Sequence, residues 1–320
     1  MYSSKLALWH GVLSRSNSNI ILLQNLRLKL FLQGLGRFCL QNFILMVKLT
    51  HLFSRIIVKY NEVDEMTYKL WNILDELKAP EYEWVELSHS LNNDSPFWAG
   101  IPEGSVELGK TVFDWGNPML ECLIQTFKFP GQFGTHIDFP GHFAHEGVLS
   151  EAFGPSSMIF PLCVLDVTAK VAEDVHYAVT VDDIKEYEAK YGTIPEGAFV
   201  ALYTGWGKNW PDMNKLSGIA EDGSENFPGW SLEALKFLFE ERKIAANGHE
   251  TLDTDASALA AAAGDLACER YVLSTGKLQI EVLDNLDKVA PAGALLIASW
   301  PRIEGATGLP ARVVAITPKK

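Results

Sequence analysis

The pattern of apolar and polar positions along the chain predicts strands and helices in alternation. The apolar runs 158–167 and 198–203 predict buried strands. Residues 180–191 repeat apolar positions at helical spacing behind Thr180 and Asp183, a residue pair typical of a helix cap. This mixture of strands and interspersed helices predicts an α/β domain.

Weaker patterns place further elements on either side of these segments. A helix is predicted over 68–77, ended by Pro80, and another over 231–242 with Ser231 as its N-cap. Short apolar segments next to turn residues predict additional strands over 84–88, 119–129, 131–138, 295–299 and 312–316.

The segment between Glu269 and Glu281 is predicted to be a β-hairpin. Residues 271–273 and 277–280 lie on either side of the turn sequence Ser274-Thr275-Gly276. Such a hairpin would bring the two carboxylates near each other, and the alternative for Glu269 is a solvated acid on the surface. A carboxylate placed among apolar neighbours, as Glu281 is, needs a partner, and a metal ion would supply one.

The densest chemistry lies between Gly131 and Phe143. Because successive side chains of an extended segment alternate faces, one face would carry Gln132, Gly134, His136 and Asp138. Imidazole nitrogen and carboxylate oxygen are ligands of zinc and manganese, and a glycine beside them leaves room. Pro140-Gly141 then turns the chain and would swing His142 back over the same face.

The string Gly134-Thr135-His136-Ile137-Asp138-Phe139-Pro140-Gly141-His142-Phe143 resembles the signature of the metal-dependent cyclase family, which includes bacterial kynurenine formamidase and isatin hydrolase. Further segments occur in the family's order, namely 86–89, Trp98, 194–197, 204–207, 227–229 and 280–286. The resemblance runs from about Trp84 to the C-terminus. It implies the swivelling β/β/α fold in a single catalytic domain, which we expect to span residues 66–320.

Carried over position by position, the resemblance makes His136, Asp138 and Glu281 ligands of a divalent ion, zinc or manganese. It makes His142 the catalytic acid and base. The chain departs from the family pattern at Gln132, where formamidases have the first histidine ligand. Glutamine is a neutral and weak ligand, so we expect one ion, with Gln132 or a water completing its shell.

A second departure lies at Glu269, where the spacing to Glu281 suggests a histidine of the second metal site in the family. Glu269 is therefore a further candidate ligand. The constellation 247–255 contains His249 and three carboxylates, and it is either a polar loop or the rim of the substrate pocket. In the second case His249 or Asp253 would lie on the rim, as a substitute ligand or as a carboxylate that orients a ligating histidine, and His249 would contact the substrate.

The activity that the resemblance implies is hydrolysis of an amide or lactam C–N bond by a metal-activated water, as in the kynurenine formamidase of tryptophan catabolism. A small aromatic substrate would suit an aromatic wall formed by Phe97, Trp98, Phe133, Phe139 and Trp206. An isatin hydrolase-like lactam hydrolase is an alternative within this class. A hydro-lyase or isomerase that uses the same Lewis acid is another, and so is an inactive metal-binding relative.

Charge is distributed unevenly along the chain. The whole chain carries −13, whereas residues 1–61 contain eight Lys or Arg and no acid, so residues 62–320 carry −21. An acidic domain argues against nucleic acid as a partner. The four cysteines form no CxxC pair, which favours a reduced, cytoplasmic setting. The family resemblance also implies a homodimer or homotetramer.

Residues 1–65 form a basic N-terminal extension that permits two interpretations. Sequence rich in Arg, Ser and Leu without acids is typical of an organelle transit peptide. Alternatively, Met66 is the true start and the extension is translated leader. The longest uncharged run, 16–26, is too short to span a bilayer, so no membrane helix is expected.

Overall fold

The computed structural model describes residues 48–52 and 68–319. The chain divides into two compact units, residues 1–76 and 77–320. Residues 48–52 are helical, and helix α1 (Lys69–Leu77) agrees with the helix predicted over 68–77. Most of the basic extension, with both of its interpretations, lies outside the described residues.

The second unit is built on a nine-stranded sheet. Its strands are β1 (Tyr82–Glu86), β4 (His136–Asp138), β5 (Ile159–Asp166), β7 (Phe199–Tyr203), β9 (Ala246–His249), β10 (Leu278–Glu281), β11 (Ala294–Ser299), β12 (Gly308–Pro310) and β13 (Arg312–Pro318). Their order is β1-β13-β11-β5-β7-β9-β10-β4-β12. Strands β5, β7, β9 and β10 are parallel, and the strands on both sides of them pair antiparallel.

Two smaller sheets accompany this one. Strands β2 (Glu107–Phe113) and β3 (Ile124–Lys128) pair antiparallel, and β6 (Ala178–Val179) pairs with β8 (Gly229–Trp230) in parallel. The remaining helices are α2 (Thr168–Glu173), α3 (Val181–Tyr191), α4 (Met213–Ser217), α5 (Leu232–Lys236), α6 (Ser257–Ala263) and α7 (Ala267–Ser274). Within the described part of the chain, none of the helices combines the length and the apolar character needed to cross a membrane.

Alternation along the central strands produces one hydrophobic core on each face of the large sheet. On β5, Leu162 and Val164 enter one core, whereas Cys163 and Leu165 enter the other. The second core is covered by apolar side chains of α3, α5 and α7, which include Ile184, Leu235 and Val272. Burial on both faces explains why the central strands appear in the sequence as nearly continuous apolar runs.

The predicted helix caps form. Thr180 Oγ1 accepts a hydrogen bond from Asp183 N, and the Asp183 carboxylate accepts one from Thr180 N at 2.7 Å, which completes a capping box before α3. Ser231 Oγ accepts from Ala234 N at the start of α5. The regular α-helix there ends at Lys236, and a π-helical turn over Phe237–Glu241 continues it.

The structure contradicts the predicted hairpin between Glu269 and Glu281. Residues Ala267–Ser274 form helix α7, and Gly276, at a φ of 79°, turns the chain into β10. The buried positions of α7 are Cys268, Glu269, Val272 and Leu273, a helical spacing that the strand prediction overlooked. The strand predicted over 131–138 is also shorter, because Gly134, at a φ of 61°, is not extended.

Candidate metal centre

Strand register brings the main candidate ligands together. In the antiparallel pair β4–β10, His136 lies opposite Glu281 and Asp138 lies opposite Gln279. Because alternate residues of a strand share a face, all of these side chains project from the same side of the sheet. One ligand atom each from His136, Asp138 and Glu281 lies within 4.8 Å of the others, and the residues are buried. The predicted trio is therefore assembled.

The orientation of His136 fits a cation at this position. Its Nδ1 lies 2.8 Å from the Gly134 carbonyl oxygen, which can only accept, so Nδ1 carries the proton. In the neutral ring, Nε2 then directs a lone pair toward Asp138 Oδ2 at 3.5 Å and Glu281 Oε2 at 3.4 Å. Electron-rich atoms this close repel one another unless a positive charge lies between them. One nitrogen and two carboxylate oxygens are also a donor set that suits zinc or manganese.

The electrostatics of His136 agree with this geometry. Burial by itself lowers the pKa of His136, but the Asp138 and Glu281 carboxylates outweigh burial and raise that pKa well above its ordinary value. The same negative field would favour a divalent cation. The group therefore fits the metal that the family resemblance implies.

Amide side chains orient the two carboxylates. Gln132 Nε2 donates to Asp138 Oδ1 at 3.2 Å, and Gln279 Nε2 donates to Glu281 Oε1 at 3.0 Å. Thr254 Oγ1 donates to Gln279 Oε1 at 2.7 Å, which holds that amide in place. Each carboxylate thus keeps its other oxygen toward the histidine. Gln132, a predicted ligand, presents its amide nitrogen here, and a nitrogen that donates cannot bind a metal.

Sequence reasoning missed Gln279. The available signal was its spacing, because it lies two residues before Glu281 and so shares its face of β10. Gly308 on β12 provides room for the same network. A Cβ atom at Gly308 would lie 2.1 Å from Gln132 Nε2 and 2.9 Å from Asp138 Oδ1. A side chain at this position would collide with the hydrogen-bonded pair.

His142 lies beside the ligand group on a short 3-10 turn, Pro140–His142. Its Nε2 is 3.7 Å from Glu269 Oε1, and the Glu269 side chain is only 3% exposed. Burial, and next the carboxylates of Glu281 and Asp138, raise the pKa of Glu269 well above its usual range. Glu269 is therefore neither a solvated surface acid nor one of the three converging ligands; it lies next to His142.

A cavity of about 560 Å³ opens above these residues. Its aromatic lining consists of Phe97, Trp98, Phe143 and Trp210. Phe97 and Trp98 were predicted to line a pocket and do so. Phe143 and Trp210 were missed, although Phe143 directly follows His142 in the motif.

Three of the predicted aromatic wall residues do not line this cavity. Phe139 is fully buried and packs against Trp300, because it alternates with Asp138 and points into the core on the opposite face. Phe133 is also fully buried. Trp206 lines a second cavity, and its Nε1 donates to Leu216 O at 2.8 Å.

His249 does not reach the cavity either. It is completely buried on β9, the strand next to β10, and its Nε2 lies 3.2 Å from Glu281 Oε1. Asp253, a member of the same 247–255 constellation, lines the cavity instead. The polar segment thus contributes an acid to the pocket, whereas its histidine lies behind the Glu281 ligand.

Comparison with known proteins agrees with this architecture. The family model described as a putative cyclase matches residues 85–256. An isatin hydrolase of Roseibium aggregatum is 31% identical over 190 residues, which cover 58% of this chain and 72% of that protein. A kynurenine formamidase of Bacillus thuringiensis is 30% identical over 86 residues, which cover 27% of this chain and 39% of that protein.

A solved structure extends the likeness to most of the chain. Isatin hydrolase A from Labrenzia aggregata, bound to benzyl benzoate, superposes with a TM-score of 0.70 at 27% identity. The superposition covers 78% of this chain and 100% of that one. The predicted cyclase-like α/β fold is confirmed.

Proposed function

Because the chain belongs to the putative cyclase family, we propose that it is a metal-dependent hydrolase that cleaves an amide or lactam C–N bond of a small aromatic substrate. The observation that carries this proposal is the convergence of His136, Asp138 and Glu281 at an aromatic-walled cavity. Its similarity to an isatin hydrolase and a kynurenine formamidase supports the same class of reaction.

His136, Asp138 and Glu281 would hold one divalent ion, zinc or manganese. When bound, such an ion supplies Lewis acidity and lowers the pKa of a coordinated water. Gln132 and Gln279 keep the two carboxylates in register through their hydrogen bonds at 3.2 and 3.0 Å. Residues that orient metal ligands in this way contribute about 10- to 100-fold to metal affinity.

His142 is the proposed catalytic acid and base. Its ring lines the cavity and its side chain is 29% exposed, so a substrate and a water can reach Nε2. Nε2 takes a proton from the attacking water and returns it to the leaving nitrogen. Glu269 Oε1 lies 3.7 Å from Nε2, so this carboxyl group, when it is ionised, favours the protonated form of the ring.

The aromatic side chains of the cavity suit a flat substrate. Trp98, Trp210, Phe97 and Phe143 line the cavity, and aromatic side chains of this kind pack well against a flat ring. A formamide such as N-formylkynurenine would place the protein in tryptophan catabolism. A lactam such as isatin is the second candidate. It is supported by the likeness to isatin hydrolase, which covers far more of both chains than the likeness to kynurenine formamidase does.

The cellular compartment and the oligomeric state are also part of the proposal. We infer a cytoplasmic enzyme that acts as a homodimer or homotetramer. Hairpin β2–β3 and its connection expose large apolar side chains, among them Trp115, Met119 and Phe127, at 62% or more. Exposed apolar patches of this kind are usually covered by another protein surface.

Metal analysis combined with activity assays tests the proposal. Elemental analysis of protein purified without chelator should find about one zinc or manganese ion per chain in the wild type. Asp138→Ala should lose both the metal and the hydrolysis of isatin or N-formylkynurenine. His142→Ala should keep the metal and lose most turnover. His145→Ala, on the same segment but exposed, is the matched control and should lose neither.

Each outcome separates the alternatives. Wild type that holds no metal and cannot be reconstituted contradicts the proposed function. Metal retained by Asp138→Ala, or turnover retained by His142→Ala, contradicts the corresponding role. Product analysis distinguishes hydrolysis, which adds water across the C–N bond, from elimination or isomerisation.

A further inference from the structure

Strand β9 places two polar side chains where an apolar core is expected. Asn247 and His249 are completely buried, and they pair with Val200 and Leu202 of β7, which belong to the second hydrophobic core. Within the described part of the chain, neither the amide of Asn247 nor a ring nitrogen of His249 makes a hydrogen bond. Buried polar groups without partners destabilise a fold, so these two residues call for an explanation.

The strand on the other side of β9 supplies one. Strand β10 pairs with β9 in parallel, and Gln279 lies opposite Asn247. Because alternate residues of a strand share a face, His249 and Glu281 also lie side by side on the face of the metal centre. His249 Nε2 is 3.2 Å from Glu281 Oε1. The buried polar residues of β9 thus match those of β10 in register.

The two oxygens of Glu281 face different histidines. Oε2 lies 3.4 Å from His136 Nε2, among the candidate ligands, whereas Oε1 faces His249. Gln279 Nε2 donates to Oε1 at 3.0 Å. Thr254 Oγ1 is 3.3 Å from Oε1, but its single proton goes to the nearer Gln279 Oε1 at 2.7 Å. A carboxylate oxygen accepts two hydrogen bonds, so Oε1 has a place for one further donor.

His249 is placed to be that donor. A lone pair on Nε2 would face the electron-rich Oε1 at 3.2 Å, so Nε2 carries a proton. We infer that His249 is a positioning residue of the metal centre, which donates from Nε2 to Glu281 Oε1 and thereby keeps Oε2 directed at the ion. This inference rests on the metal site of the proposed function, but metal binding tests it without turnover.

A purely structural role for His249 predicts a different result. Leucine has a similar size and suits the apolar core next to Leu202, and it carries no buried nitrogen that lacks a partner. If His249 only fills space, His249→Leu should stabilise the protein and leave its metal affinity unchanged. If His249 positions Glu281, the metal affinity should fall although the stability does not.

Calorimetric titration with zinc or manganese and urea unfolding of the metal-free protein separate these roles. His249→Leu should bind the metal about 10-fold more weakly, whereas its metal-free form should unfold at no lower urea concentration than the wild type. His249→Gln should restore most of the affinity, because its amide nitrogen lies as many bonds from the backbone as Nε2. Leu202→Val, on the other flank of His249, is the matched control and should lose stability but keep the affinity.

Cobalt substitution gives a second readout that a structural role would not move. The visible spectrum of bound cobalt depends on the number and arrangement of its ligands. The spectrum should change in His249→Leu, where the Glu281 carboxylate is free to turn, and should return in His249→Gln. His249→Asn, whose amide ends one bond short of Glu281, should resemble His249→Leu and takes its place if the leucine variant does not fold.

The outcomes also separate this inference from the hydrolase function. Wild-type metal affinity in His249→Leu would overturn the inference, and so would a His249→Gln protein that binds metal as weakly as His249→Leu. Hydrolysis of isatin by a wild type whose metal affinity does not depend on position 249 would support the hydrolase and refute the inference. Weakened metal binding in His249→Leu, together with no hydrolysis by the wild type, would support the inference and refute the hydrolase.

Discussion

Replacing Gly308 with alanine should damage the candidate metal centre through a single methyl group. The new Cβ would lie 2.1 Å from Gln132 Nε2 and 2.9 Å from Asp138 Oδ1. Ordinary van der Waals contact begins near 3.4 Å, so the Gln132 amide must move by roughly 1 Å and give up its bond to Asp138. Alanine is otherwise compatible with the backbone, since Gly308 has no positive φ.

The magnitude follows from two opposing effects. Overpacking in a buried site destabilises the folded state by about 1–3 kcal/mol. Alanine also lowers the conformational entropy of the unfolded chain relative to glycine, which stabilises the folded state by about 0.4–1 kcal/mol. We expect a net loss of about 1–2 kcal/mol in the free energy of unfolding. Metal affinity should fall about 10-fold, because the Asp138 carboxylate loses the hydrogen bond that orients it.

Calorimetric titration with zinc or manganese and urea unfolding of the metal-free protein measure the two quantities. Gly154→Ala is the matched control, because Gly154 has a φ of −80° and nothing within 4 Å of an added Cβ. Gln132→Ala removes the atom that the methyl group strikes, so Gly308→Ala should cost clearly less in that background. An equal cost in both backgrounds would refute the steric reasoning.

Other predictions concern the pH response, the capping box and the second cavity. Burial raises the pKa of Glu250 to about 7 despite hydrogen bonds from Thr204, so the folded state keeps a proton that the unfolded state loses above about pH 4.5. The free energy of unfolding should therefore fall as pH rises from about 4.5 to 7, by at most about 1.4 kcal/mol per pH unit, and Glu250→Gln should remove that part of the slope in urea unfolding. Thr180→Ala should cost about 1 kcal/mol in the same assay, and no loss would contradict the observed cap. Trp206→Phe removes the hydrogen bond to Leu216 O and should lower the free energy of unfolding by about 1 kcal/mol. The KM of aromatic substrates should stay unchanged, because Trp206 lines the second cavity, and a raised KM would show that Trp206 contacts the substrate.

The parts of the fold that depend on local pattern were predictable. The strand over 158–167 appears as Ile159–Asp166, and the cap at Thr180 forms before a helix that begins at Val181. Both depend on residue types within one element, where apolar runs and hydroxyl caps have direct physical causes.

The hairpin predicted around Glu269 was wrong because its local pattern is ambiguous. A short apolar run such as 271–273 suits a strand and a buried helix equally well, so the residues themselves do not decide between the two. Packing against the large sheet makes the segment helical. Helix α7 then carries Glu269 to His142 with its carboxylate buried.

The candidate site was predictable where one segment holds several of its side chains. His136, Asp138 and His142 lie within a single turn-rich stretch, and strand alternation already placed the first two on one face. The same alternation shows why Phe139 fails as a wall residue, since it must point away from Asp138 into the core. Treating it as part of the pocket ignored a periodicity that the sequence contained.

The sequence by itself determined which side chains the candidate site offers, because the imidazole of His136 and the carboxylate of Asp138 share one face of an extended segment and are of the types that hold zinc or manganese. Only the tertiary structure decided which distant residues complete it. The register of β4 against β10 places Glu281 opposite His136, and the turn before Pro211 brings Trp210 to the cavity rather than Trp206. Pairings between residues far apart in the chain depend on the packing of the whole sheet, and no local pattern specifies them.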